Sequence, residues 1–217
     1  MKLYGTDLSP YAERCLMQFV AKGLDVEFLP APGGLKSDEY AALNPMQRIP
    51  ALETDEGVCL PESEVICEYI EDLYPTPPLR PDAPVERALM RTLSRIVDTY
   101  HLPSMGPLFM NMKPETRDDQ AVDKGLETVG KSLDYLERYI GDNGFAVGNA
   151  LSLADCTLVS TLNFSLPFVG RFGLEAPLKG RPKLERYWDA IRTQPAAEVT
   201  IKRMQEAFAK AHAEGRF

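Results

Sequence analysis

The stretch KLYGTDLSPYAERCLMQFVAKGLDVEFL, residues 2–29, sets the architecture of the first half of the chain. KLYGT has the length and composition of a short strand. DLSP then reads as a helix start. Serine is a preferred N-cap, and proline is favoured at the first helical position, where its missing N–H would be unpaired anyway. Ala12, Cys15, Leu16, Phe19 and Val20 fall on one helical face, and Gly23 stands where a C-cap belongs. VEFL (26–29) reads as a second strand, and a helical crossover between the two makes them parallel.

Downstream, PALET and GVCLP flank the turn DEG (55–57), a hairpin signal. ESEVICEYIEDLY follows, with Val65, Ile66, Tyr69, Ile70 and Leu73 on one face of a helix. The order β-α-β-(α)-β-β-α is thioredoxin-like. Prolines at 75, 77, 78, 81 and 84 then forbid helix and read as a stiff linker. Beyond it only helical periods occur. Leu89, Leu93, Ile96, Val97 and Tyr100 make one stripe; Val122, Leu126, Val129, Leu133, Leu136 and Ile140 make another. Ser152 and Asp155 form a variant of the capping box. Leu184, Trp188 and Ile191 share a face, and a last helix spans about 196–211. The expected fold is an α/β thioredoxin-like N-terminal domain (1–75), a proline-rich linker (76–84) and an all-α helical-bundle C-terminal domain (85–217).

A formal net charge of −8, with dispersed basic residues, argues against a nucleic-acid partner. No apolar run reaches the length of a membrane span, and the first residues lack the apolar core of a signal peptide. Cys15, Cys59, Cys67 and Cys156 show neither C-x-x-C nor zinc-ligand spacing, and they read as reduced thiols of a cytoplasmic protein. With only His101 and His212, a multi-histidine metal site is excluded, and no metal is expected.

Three stretches carry candidate chemistry. At the start of its helix, the Ser9 hydroxyl sits beside free N–H groups and the positive dipole end, where an anion such as a thiolate is stabilised. It can donate a hydrogen bond to a bound thiolate and lower that thiol's pKa; on the residues alone, simple capping is the favoured reading. In NPMQRIPAL, a cis Ile49–Pro50 bond would turn the Ile49 backbone outward to pair with an extended peptide; an ordinary strand-start proline is the alternative. In PESE, Ser63 and adjacent N–H groups could hold a carboxylate while Glu62 takes an ammonium, or both could merely favour the helix start. Together a thiol site, a backbone-pairing site and an amino-acid-end site describe a γ-glutamyl tripeptide.

SPYAER, NPMQRIPAL, LPESEVICEYIEDLYP and GNALSLADC, in this order, resemble the glutathione transferase family over almost the whole chain. The nearest pattern is the omega class, C-P-F/Y-A-E-R, or a bacterial relative of it. The resemblance implies glutathione as co-substrate, bound by Lys36, Ile49, Glu62 and Ser63, with Arg48 alongside. Ser9 occupies the omega cysteine's position, which implies thiolate activation, as in the serine-dependent classes, rather than thiol–disulfide exchange. Tyr4 is a competitor for that role, and Cys15 reads as a core residue. An apolar electrophile is expected against Tyr11, Tyr100, Met105, Met110 and Phe164. The resemblance also implies a homodimer. A rival reading is a non-catalytic, transcription-associated protein similar to stringent starvation protein A, and another is a glutathione-binding protein with negligible turnover.

Overall fold

The computed structural model describes residues 1–215. The elements, in chain order, begin with β1 (Lys2–Tyr4), α1 (Pro10–Lys22), β2 (Glu27–Leu29), α2 (Asp38–Leu43), β3 (Ala51–Glu53), β4 (Cys59–Pro61) and α3 (Ser63–Leu73). The helical half holds α4 (Pro84–Ile96), a π-helical turn (Val97–His101), α5 (Leu102–Ser104), α6 (Gly106–Met110), α7 (Asp119–Tyr139), α8 (Leu153–Gly170) and α9 (Pro182–Ile191), and α10 (Pro195–Ala213) ends the series.

The chain divides into two compact units. The first joins Met1–Leu79 to the segment beginning at Gln194, and the second is Arg80–Thr193. The last helix, expected within the helical domain, thus belongs to the first unit. The reason lies in α1. Its apolar face is buried as expected, but so are Glu13, Arg14, Met17, Gln18 and Lys22, because α3 packs against it and α10 covers it as well. The Arg203 guanidinium of α10 reaches the fully buried Glu13 carboxylate at 2.6 Å. Burial pushes the Glu13 carboxyl up to about 7, against the pull of Arg203.

The sheet has the order β2-β1-β3-β4, with β1 parallel to β2 and antiparallel to β3, and β4 completing the hairpin. Gly5 sits so close to α1 and β2 that a Cβ there would lie 2.7 Å from the Phe28 ring and 2.8 Å from Ala12. Only glycine lets the chain leave β1 toward Ser9 at that distance.

On α3 the buried residues are Ser63, Ile66, Cys67, Ile70 and Glu71, a face rotated from the expected one. Val65 and Leu73 are exposed instead. The rotation brings Glu71 against Lys22 at 2.8 Å, and Lys22 also donates to the carbonyls of Tyr74 and Pro77. Glu71 accepts from the Leu79 N–H at 2.9 Å, so the proline-rich stretch is bound to the first unit up to its boundary.

In the helical unit the expected stripe on α4 holds at Leu93, Ile96 and Val97, with Met90 buried in place of the half-buried Leu89, and then fails. Tyr100 is exposed and His101 is fully buried. A π-helical turn carries one more residue per hydrogen-bonded ring than an α-helical one, so the inward position slips by one. His101 lies between Ser132 Oγ at 2.8 Å and Ser165 Oγ at 3.0 Å. Ser132 Oγ donates to the Val129 carbonyl, so the His101 Nδ1–H donates to Ser132. A neutral ring satisfies both serines.

Burial depresses the His101 pKa from 6.5 to about 4. Between those two values the unfolded chain binds a proton that the folded one refuses, so stability falls as pH falls. The loss is about 3 kcal/mol over this window. Glu13 and Asp155, whose pKa values are raised, act with the opposite sign, so the contribution is read as a difference. On going from pH 7 to pH 4.5, the urea midpoint of His101→Gln should therefore rise more, or fall less, than that of wild type. Parallel curves for the two proteins would contradict it.

Candidate functional site

The strand registers decide where the sequence-selected residues meet. Tyr4 pairs with Leu29 on one side and Ala51 on the other, and Ala51 pairs with Pro61. The chain therefore leaves β2, leaves β1, enters β3 and leaves β4 at one end of the sheet. Those four segments carry Lys36, Ser9, Ile49 and the pair Glu62–Ser63 in turn. No single motif reveals that these four segments begin or end at the same end of the sheet, but the pairings require it.

Ser9 is the N-cap of α1, with φ −94° and its Oγ accepting from the Ala12 N–H at 3.4 Å. That bond is long, and it occupies a lone pair rather than the hydroxyl proton, which is left to donate elsewhere. Ser9 is half-buried. Pro10 follows as the first helical residue.

Tyr4, the competitor, is spent. Its hydroxyl donates to Glu53 Oε2 at 2.6 Å, and the ring is buried edge-on to Tyr40, with centroids 6.1 Å apart. The bond to Glu53, reinforced by burial, pushes its pKa up to about 12. A phenol so committed is a poor donor to a thiolate.

The Ile49–Pro50 peptide is cis. The loop before it is held by Tyr40 Oη and Asn44 Nδ2, which donate to the Arg48 carbonyl at 2.6 and 2.8 Å. Ile49 is half-buried, and Lys36 and Arg48 are exposed. Glu62 is exposed with φ +69°, a conformation that L-residues rarely adopt. Its carbonyl begins α3 by accepting from the Ile66 N–H, and Ser63 is buried. Such a backbone persists where the surroundings over-determine it, as happens at ligand clamps.

Sequence reasoning missed the pieces that tie the two helix starts together. Arg14, fully buried on α1, reaches Glu64 on α3 at 3.3 Å and lies 5.5 Å from the Tyr11 ring centroid. The available signal was a basic residue on the helix face next to the apolar one. Cys15 is a core residue, as expected, facing the Ser63 and Tyr11 carbonyls.

The residues expected to meet an electrophile scatter. In the helical unit Met105 is fully buried and has no surface to offer a ligand, while Met110 is 85% exposed. Tyr100 stands edge-on to Tyr135 in a cleft of about 500 Å³ that includes neither Met110 nor Phe164. Phe164 belongs to a stack on Phe109 and Phe168, with centroids 4.4–5.9 Å apart. Tyr11, in the first unit, is half-buried on the first turn of α1.

Among the described residues no group of three or more His, Cys, Asp or Glu side chains could hold a metal ion. No helix among them is long and apolar enough to cross a membrane.

Comparison with known proteins gives the same outline. The family description "Glutathione S-transferase, N-terminal domain" matches residues 3–78, and "Glutathione S-transferase, C-terminal domain" matches residues 99–195. Maleylacetoacetate isomerase of Pseudomonas aeruginosa is 34% identical over 203 residues, covering 90% of this chain and 93% of that protein. Glutathione S-transferase 3 of Zea mays is 31% identical over 213 residues, covering 93% of each. Among solved structures, glutathione S-transferase III in its apo form superposes with a TM-score of 0.75 at 30% identity, over 93% of this chain and 95% of that one.

Proposed function

Because the chain belongs to the glutathione S-transferase family, we propose that it activates the glutathione thiol through the Ser9 hydroxyl for attack on a small apolar electrophile. The observation that supports this reading is that the segments carrying Lys36, Ser9, Ile49 and the pair Glu62–Ser63 all adjoin strand ends at one end of the sheet. Ser9 donates its proton to the bound sulfur, and the positive end of α1 stabilises the same charge. Both effects favour thiolate over thiol, so nucleophile accumulates near neutral pH. Ile49 pairs its backbone with the cysteinyl unit, Ser63 and the first N–H groups of α3 take the γ-glutamyl carboxylate, and Glu62 takes the ammonium. Lys36 and Arg48 supply positive charge for the remaining carboxylate.

The names of the relatives divide between transferases and an isomerase, and both chemistries begin from a thiolate. The aromatic stack around Phe109 and Phe164 supports an apolar second substrate. A second copy of the chain is supported by Val65 and Leu73, exposed at positions eight apart on α3 with Tyr69 between them.

Calorimetric titration with reduced glutathione, combined with thiolate absorbance across pH, tests the proposal. Binding with a depressed thiol pKa is the expected result. Binding without thiolate would leave a glutathione-binding protein with no activating group. No binding would favour the non-catalytic reading. Glu62→Ala should weaken glutathione binding about tenfold, the cost of one charge-assisted hydrogen bond at an exposed position. Alanine inherits the same positive φ as glutamate, so an unchanged affinity would remove the ammonium role from Glu62.

A further inference from the structure

The contact between α1 and α3 contains two sulfurs that play no part in the mechanism above. Cys15 Sγ and Cys67 Sγ are 3.9 Å apart, with the side chains 0% and 2% exposed. Both cysteines are reduced. Around them, Cys15 faces the Ser63 carbonyl at 3.7 Å, and Gln18 Nε2 donates to the Cys67 carbonyl at 2.8 Å. We propose that Cys15 and Cys67 form a dithiol modification site, which a hydroperoxide converts to a disulfide joining α1 to α3.

The reaction balances with hydrogen peroxide as oxidant. One sulfur attacks a peroxide oxygen, breaking the O–O bond, to give a sulfenic acid and water. The second sulfur attacks the sulfenic sulfur, forming the S–S bond and releasing another water. Two thiol sulfurs lose two electrons, the peroxide gains them, and the two thiol protons leave in the water formed. A dithiol such as dithiothreitol reverses the step by exchange through a mixed disulfide.

Geometry favours the pair over oxidation of either thiol alone. A disulfide needs an S–S distance of about 2.05 Å, so each sulfur must move roughly 1 Å from the observed separation. Burial keeps out bulky oxidants and limits the reactant to a small neutral one, admitted when the helices part. It also shelters the sulfenic acid from a second peroxide, while the other sulfur is already in contact. The resolving thiol therefore competes well with overoxidation.

The consequence reaches the site, and this step rests on the function proposed above. Ser9 caps α1 and Ser63 opens α3, so drawing the two helices together displaces the groups assigned to the thiolate and the γ-glutamyl end. Oxidation should then weaken glutathione binding, and dithiothreitol should restore it.

The test treats the full-length protein with hydrogen peroxide and follows intact mass, titratable thiols and a peptide map. The expected result is a loss of two hydrogens, disappearance of two of the four thiols, and a peptide linking Cys15 to Cys67. Cys15→Ala and Cys67→Ala should each abolish the link, and Cys59→Ser should leave it intact. The map on the wild-type protein needs no variant to fold. A mass gain from oxygen on single cysteines, a link through Cys59 or Cys156, or no thiol loss would overturn the proposal. If the link forms and glutathione affinity is unchanged, the disulfide stands and its coupling to the site falls. If the reduced protein does not bind glutathione, the proposed function fails while the mass still decides the disulfide.

Discussion

Replacing Ser9 with alanine is expected to lower glutathione-dependent turnover about 100-fold while leaving glutathione affinity within about twofold. The difference follows from how the two tasks are distributed. Binding is spread over Lys36, Ile49, Glu62 and Ser63 on three segments, whereas the hydrogen bond to sulfur comes from one hydroxyl. The complication is that Ser9 also caps α1, and losing a cap costs about 1 kcal/mol. Ser9→Gly separates the two, because glycine caps almost as well as serine yet has no hydroxyl. Equal turnover losses in both variants, with a thiol pKa returned to its solution value, assign the effect to chemistry. A loss in Ser9→Ala that Ser9→Gly repairs would make Ser9 a cap only.

The largest effect on stability should come from Asp155→Ala. Asp155 is fully buried at the start of α8, where it accepts from the Ala146 N–H at 2.8 Å and from the Ser152 N–H and Oγ–H at 2.7 Å each. Alanine leaves these donors without an acceptor inside the protein, which costs about 3 kcal/mol net of the lost desolvation. For a chain of this size that lowers Tm by about 10 °C. Burial raises the Asp155 pKa to about 6, against the pull of those donors. The folded state therefore holds a proton that the unfolded state releases near 3.8, and Asp155 contributes less stability as pH rises from 3.8 to 6. Above 6 its contribution is flat. The penalty for alanine should thus be measured by thermal melting at pH 7 or above; a melting shift of only a degree or two would contradict the account.

Local signals carried far in the first half of the chain. Ser9–Pro10 and Gly23 bracket α1 because capping and φ preferences act within a few residues. The hairpin between β3 and β4 follows from its turn. The capping pair Ser152–Asp155 is found where the spacing put it.

Legibility ended wherever a third element decided burial. Of the charged residues of α1, Glu13 meets Arg203 of α10, nearly two hundred residues away in sequence, while Arg14 and Lys22 meet Glu64 and Glu71 of α3. A periodicity reading of α1 has no access to those partners. Tyr100 lost its inward place to His101 through a single π-helical turn, which leaves no mark in a hydrophobic pattern. Cys67 and Glu71 displaced Val65 and Leu73 on α3 because their partners, Cys15 and Lys22, are on α1. For the candidate site, residue types were readable at each motif, while the shared end of the sheet emerged only from the strand pairings.

The allegiance of α10 bears on how the protein is made. A ribosome delivers every strand of the sheet, and both helices that bear the proposed glutathione contacts, well over a hundred residues before it delivers Arg203. Throughout that interval Glu13 is a carboxylate facing an uncovered helix flank, with its eventual counter-charge not yet synthesised. The whole helical unit is translated in between. The first unit to be started is therefore the last to be closed, and the nascent chain carries an open seam until translation is nearly over.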